Sequence, residues 1–429
     1  MRLSQHRHPE LLAPAGSLKS LRYALAYGAD AVYAGLPRYS LRVRNNAFRN
    51  VATLAEGIDA AHAEGKKFLL AVNVMPHNQK VHTFIRDLEP VVALKPDALI
   101  MTDPGLIMLV RERWTDMPIH LSVQANTVNY AAVRFWQAQG IARVILSREL
   151  SLDEIAEIRQ RCPDIELEVF VHGALCVAYS GRCLLSGYFN HRDSNQGACT
   201  NACRWRYRLD AGVATAEGTL LSENNVFLLA ETARRGDEWM EISEDEHGTY
   251  IMNSRDLRAI AHVARLIEIG VDCLKIEGRT KSHYYVARTT QVYRRAIVDA
   301  LAHRAFDSML IDELDALAHR GYTEGFFSRH TPQETQNYDD GASSQYTQRF
   351  VAEVIDYDNA SGLSTLAAKN RFAVGDQICI VTPNGNRIQK LSALWNTDGE
   401  PVSVASGDGY IVRAKIGDTG TFALIARIV

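Results

Sequence analysis

From Glu10 the chain alternates short apolar β-type runs with amphipathic helical stretches, and such a rhythm has few solutions other than a parallel sheet with crossover helices. Leu11 to Ala15 is the first run. Gly16-Ser17 follows as an N-cap signal, and Leu18, Leu21 and Leu25 then recur at i, i+3 and i+7 before Gly28 closes the helix. Ala31 to Gly35 reads as the second strand and Val51 to Glu64 as the next helix. Phe68 to Val74, Ala98 to Thr102, Ile119 to Val123, Val144 to Ser147 and Ile165 to Val171 read as strands three to seven. Ser151-Leu152-Asp153-Glu154 opens the last intervening helix with the S-x-x-E spacing of a capping box. The eighth strand, Cys273 to Glu277, comes about 100 residues after the seventh, with a helix from Ser282 to His303 behind it. Eight countable units, and no G-x-G-x-x-G after the first strand, favour a TIM-like (β/α)8 barrel with one long insertion over a doubly wound α/β sheet.

After residue 320 the character changes. Residues 321–346 are rich in Gly, Ser, Thr, Asn and Gln and read as a connecting segment. From 347 to 429 short alternating runs are punctuated by turns such as Pro383-Asn384-Gly385 and Gly407-Asp408-Gly409, the pattern of a small all-β barrel. The expected organisation is therefore a catalytic barrel over 1–320, with a cysteine-rich insertion over 174–270 between strands seven and eight, a connector, and a C-terminal β domain. The 429 residues are 47% apolar and 23% charged, within the ordinary globular range, and can bury a core without staples. No run approaches the length of a spanning helix and Met1 to Glu10 has no apolar leader core, so a cytosolic protein with no membrane partner is expected. A net charge of −3 argues against general coating of polyanions, so any RNA site must be a local patch.

In such a barrel, chemistry gathers at the C-terminal strand ends. The polar residues there are Tyr33, Asn73, Gln124, Asn126, Arg148, Glu149, His172, Lys275, Glu277 and Arg279. His172, Lys275 and Glu277 are the catalytic candidates, because strands seven and eight flank the insertion. His172 is the first choice for a group that titrates near neutrality. Of the seven cysteines, four (Cys176, Cys183, Cys199 and Cys203) fall within 28 positions among glycine-punctuated loops. Cys162, Cys273 and Cys379 are scattered through helical or strand contexts and read as buried structural thiols. Four thiolates suit either tetrahedral zinc or an iron–sulfur cluster, and gaps of six, fifteen and three favour a cluster over the paired knuckles of zinc.

The run from Glu168 through His172, Cys176 and Cys183 to Ser186 resembles the signature of the collagenase-like peptidase family of unassigned catalytic type. Leu11 to Gly16, Gly28 to Gly35, Tyr39 to Asn46, His120 to Asn126, Cys199 to Trp205 and Leu274 to Arg279 are similar to its bacterial tRNA-hydroxylating branch, over essentially the whole chain. The resemblance implies hydroxylation of the wobble uridine of certain tRNAs at C5, without molecular oxygen, with prephenate as co-substrate. It also implies a [4Fe–4S] cluster on Cys176, Cys183, Cys199 and Cys203. Partners are then tRNA, prephenate and the iron–sulfur assembly machinery, with the oligomeric state left open, a homodimer included.

The residues agree with these implications. Arg38, Arg42, Arg44 and Arg49 stand in a stretch without an acid. Arg192, Arg204 and Arg206 are interleaved with Tyr188, Phe189, Trp205 and Tyr207, the mixture that holds phosphates and stacks bases. Arg38, Arg42, Arg49, Arg192, Arg204 and Arg206 are assigned to RNA. Arg44, Arg148 and Arg279, with Asn73, Gln124 and Asn126, are assigned to the small dicarboxylate, which favours the guanidinium fork. Two alternatives stand beside this reading: a peptidase, although no H-E-x-x-H or G-x-S-x-G is present, and a non-catalytic RNA-binding protein with a structural zinc site.

Overall fold

The computed structural model describes residues 8–41, 46–175, 255–319, 321–328 and 347–429, together with the backbone of six short strands between Tyr207 and Thr249. Eight parallel strands form the barrel. They are β1 (Glu10–Pro14), β2 (Ala31–Gly35), β3 (Lys67–Val72), β4 (Ala98–Met101), β5 (Ile119–Leu121), β6 (Arg143–Ile145), β7 (Glu166–Ala174) and β8 (Cys273–Ile276). They pair in sequence order, and β8 closes the ring by pairing with both β1 and β7. The expected eight beats are all present.

Helices return the chain outside the ring: α1 (Leu18–Ala26), α2 (Val51–Ala63), α3 (Asn78–Val92), α4 (Pro104–Arg113), α5 (Tyr130–Ala138), α6 (Leu152–Arg161), α7 (Val263–Ile269), α8 (His283–Leu301) and α9 (Met309–Asp315). Most start on a residue that satisfies an exposed backbone N–H. Ser17, Asn50, Asp103, Asn129 and Ser282 accept from the amide three residues on, and Ser151 with Glu154 makes the full capping box.

Two irregularities shape the mouth. Lys275 pairs with Phe170, but the ladder then slips by one, so that Ile276 pairs with His172. Such a bulge re-aims side chains next to a site. Beyond the rim, β7 continues to Ala174 and pairs antiparallel with the short strand Asp256–Arg258, Ala174 lying opposite Asp256. Tyr322–Thr323 adds to that strand's other edge, and the buried Phe327 accepts a backbone hydrogen bond from Leu152 at 3.3 Å. The described start of the expected connector is therefore part of the barrel wall. Its composition hid this, because the contacts are made by two aromatics rather than by aliphatics.

Residues 347–429 form an eight-stranded sheet whose described pairings are all antiparallel, with a two-stranded companion and their own core around Val351, Leu366, Phe372, Ile380, Val412 and Ile425. The expected all-β domain is present. It packs on α1 and α8: Tyr27 donates to the carbonyls of Val381 (3.0 Å) and Phe422 (2.9 Å), Gln291 donates to that of Thr382 (2.7 Å), and the rings of Tyr284 and Phe350 stack at 5.0 Å. Cys162, Cys273 and Cys379 are buried. Among the described residues no helix is long and apolar enough to cross a membrane.

Candidate active site

The inside of the barrel carries charge where bulky aliphatics usually fill the layers. Arg143, at the start of β6, meets Glu10 of β1 at 2.7 Å, and Glu166 and Glu168 of β7 at 2.7 and 3.3 Å. Glu168, fully buried, accepts from Lys275 Nζ of β8 at 2.7 Å. Glu10 also meets Lys67, half exposed at the opposite end, at 2.7 Å. A column of ion pairs thus runs from the floor to the mouth. Burial opposes ionisation of Glu10, but Arg143 and Lys67 outweigh it and hold the carboxyl below its ordinary range. His120, on β5, is kept neutral by burial and by the charges of Arg143 and Lys275, which push its titration well below neutrality.

Lys275 ends the column and begins a cavity. The walls are Tyr33, Leu41, Ala71, Asn73, Ile100, Ser122, Val123, Gln124, Ile145, Arg148, Phe170, Ala174, Glu277 and Arg279, drawn from or beside every barrel strand except β1. Lys275 Nζ sits 4.5 Å from the Tyr33 ring centre and 5.2 Å from that of Phe170. The Arg148 guanidinium lies 3.9 Å above Phe170 and that of Arg279 5.7 Å from Tyr33. Aromatic faces favour a cation and hold it in place. Glu277 is the one carboxylate among the described residues of the lining; it approaches Arg148 at 4.0 Å and accepts from Tyr33 Oη at 3.3 Å. Burial and the nearby Glu277 hold the Tyr33 phenol well above its ordinary range, so it stays a hydrogen-bond donor. Among the described residues of the lining, three cations stand against one carboxylate, a balance that suits an anion.

Two glycines make this geometry possible. A Cβ on Gly35 would stand 2.7 Å from the Arg279 guanidinium and 2.3 Å from Ser40 Oγ, and one on Gly173 would stand 2.4 Å from the Glu277 carbonyl. Gly173 also takes a φ of +99°, which side-chain-bearing residues rarely adopt.

Seven expected site residues come together here: Tyr33, Asn73, Gln124, Arg148, Lys275, Glu277 and Arg279. Others do not. His172 lies outside the lining, its ring within 5.4 to 5.9 Å of those of Tyr285, Tyr293 and Tyr322. The bulge places it opposite the outward Ile276, where burial, reinforced by Lys281, Arg258 and His319, lowers its titration to about 3. It is neutral at physiological pH, which corrects the expectation of a group titrating near neutrality. Asn126 and Glu149 also fall outside the lining, Asn126 with a left-handed φ of 50°. Arg38 is exposed and meets Asp87 at 2.7 Å, a carboxylate that Arg86 also meets at 3.2 Å, and Arg49 is exposed. Arg42, Arg44, Arg192, Arg204, Arg206, Cys176, Cys183, Cys199 and Cys203 lie outside the described residues. Glu168, Arg143 and Glu10 were missed. Their signal was present, as charged residues within strand runs that are otherwise apolar.

The sequence matches the model of peptidase family U32 over residues 16–337 and that of the family's C-terminal domain over 346–427. It is 58% identical to "tRNA hydroxylation protein P" of Haemophilus influenzae, over 95% of this chain and 93% of that protein. The identity is also 58% to the Escherichia coli protein of the same name, over 94% and 93%. The "23S rRNA 5-hydroxycytidine C2501 synthase" of Escherichia coli is 33% identical over 72% of this chain and 42% of its own length. With both of its folded parts matched and near-full-length relatives at this identity, the chain belongs to peptidase family U32.

Proposed function

We propose that the protein is a tRNA-modifying enzyme that hydroxylates C5 of the wobble uridine, independently of oxygen, with prephenate as co-substrate and a [4Fe–4S] cluster on Cys176, Cys183, Cys199 and Cys203. The observation that carries this reading is the convergence of Lys275, Arg148 and Arg279 on one cavity at the barrel mouth. Prephenate is a dianion, and two guanidinium forks with an ammonium supply the matching charge and paired N–H donors. Asn73 and Gln124 offer the neutral donors and acceptors a ring hydroxyl or carbonyl needs. The relatives support the RNA side of the reading, since two are named for tRNA hydroxylation and a third for making 5-hydroxycytidine in rRNA.

Replacing the hydrogen at C5 by a hydroxyl group requires C5 to lose a proton. Glu277, hydrogen-bonded by Tyr33 and beside Arg148, is placed to hold that proton at the cavity wall. A cluster on the four cysteines would supply one-electron redox chemistry. Arg38 and Arg49 are exposed cations available to meet phosphates, with Arg42, Arg192, Arg204 and Arg206 as their companions in sequence. Among the described residues the cavity lining contains neither cysteine nor histidine.

The test is nucleoside mass spectrometry of tRNA from a strain lacking the protein, complemented with wild type, Arg279→Met or Cys183→Ala. Loss of 5-hydroxyuridine, restored by wild type alone, is expected. Unchanged 5-hydroxyuridine in the deletion strain overturns the function. Full restoration by Cys183→Ala with normal iron content overturns the cluster assignment.

A further inference from the structure

Lys275 and Arg143 share Glu168 unequally. Arg143 has two other carboxylates, Glu10 and Glu166, each at 2.7 Å. Among the described residues Lys275 has Glu168 alone within ion-pairing distance, and both side chains are buried, at 3% and 0% exposure. Removing the Glu168 charge would leave Arg143 compensated and Lys275 with no counterion. The remaining surroundings of Lys275 favour a neutral amine. On the mouth side stand Arg148 and Arg279, with Glu277 and Tyr33; below lie Arg143, Glu10, the neutral His120 and the Cys273 thiol, which burial and Glu168 hold protonated.

We propose that Glu168 is a positioning residue: it keeps Lys275 as an ammonium at the inner end of the cavity, where that ammonium receives a carboxylate of the anionic co-substrate. This rests on the reading of the cavity as the prephenate site. Glu168 itself does not line the cavity, so its effect on the ligand passes through Lys275. The Tyr33 and Phe170 rings on either side fix where the ammonium points.

The inference has a signature that a merely structural role would lack. In Glu168→Gln the amine is favoured in the folded protein and the ammonium in the unfolded chain, so folding releases a proton. The variant's stability relative to wild type therefore rises with pH. Its affinity for prephenate falls with pH over the same range, because only the ammonium holds the carboxylate. Two opposite slopes from one group are the prediction.

The measurements are urea unfolding and calorimetric titration of prephenate, on the full-length protein carrying its iron, over about pH 6.5–8.5. Wild type is the reference for the stability slope and should bind prephenate with no slope over this range. Glu168→Gln should show both, with about a ten- to hundred-fold weaker affinity at the alkaline end. Glu168→Gln/Lys275→Met removes both charges, and should recover stability with no slope while binding prephenate weakly at every pH. A single variant that fails to fold beside a double variant that folds supports the same conclusion. Flat profiles in Glu168→Gln, or wild-type affinity in the double variant, overturn it. If wild type binds no prephenate at all, the reading of the cavity falls, while the stability slope still decides whether Glu168 holds the Lys275 charge.

Discussion

One added residue in the β7–β8 ladder turns His172 from the cavity into the aromatic wall beneath α8. There Tyr293 Oη lies 3.4 Å from Nδ1 while donating to the Val171 carbonyl at 2.6 Å, and Nε2 has no hydrogen-bond partner among the described residues. It packs there as a neutral ring. His172→Gln should leave the pH profile of hydroxylation unchanged while lowering stability at neutral pH by about 1–3 kcal/mol, read by urea unfolding. Because the buried ring titrates near 3 and the unfolded one near 6.5, the stability it contributes is complete above that upper value and is lost as the pH falls. The gap between wild type and variant should narrow in acid. Strand alternation alone puts Phe170 and His172 on one face, and no residue type in the run announces the slip, so this error was built into period-two reasoning. The cavity residues were legible for the opposite reason: they stand at or just past regular strand ends. Arg44 was assigned beside them, and lies outside the described residues.

Among the elements, helix starts were the most legible, since a capping side chain and its amide are three residues apart and both are visible in the sequence. Contacts between distant elements were not. Glu353, on the first strand of the C-terminal domain, meets Lys19 of α1 at 2.5 Å and His283 at the start of α8 at 2.9 Å, and its partner Lys19 lies 334 residues away. Burial opposes ionisation of Glu353, but His283 and Lys19 prevail and bring its titration to about 2. A depressed carboxylate stabilises above its unfolded value near 4.5 and loses that contribution as the pH falls toward 2. Glu353→Gln should cost about 1–2 kcal/mol at pH 7, reduced by solvent around the half-exposed Lys19, and almost nothing near pH 2. Chemical unfolding at the two pH values checks it, and an equal loss at both would assign the effect to packing.

Across the whole molecule the apolar core crosses from the barrel into the C-terminal domain, for Cys379, Val381, Leu424 and Ala426 belong to the same cluster as Leu21, Tyr23 and Tyr27. The composition shift near residue 320 predicted two units, and it could not reveal that they share a core. The insertion behaves in the opposite way. The chain departs after Ala174 and returns at Asp256, and these two residues are cross-strand partners. An excursion whose ends are held side by side is a cassette: closing it costs only slowly more as it lengthens, so its contents can be exchanged without disturbing the frame that carries it. Replacing residues 177–253 with a short Asn-Gly turn should give a barrel that unfolds cooperatively and still binds prephenate, but retains no iron. A chain that instead fails to fold would show that the cassette belongs to the frame. Held in this way, the insertion can be altered independently of the cavity, and on the function proposed above a relative that had exchanged one cassette for another could keep its co-substrate while changing the RNA it modifies.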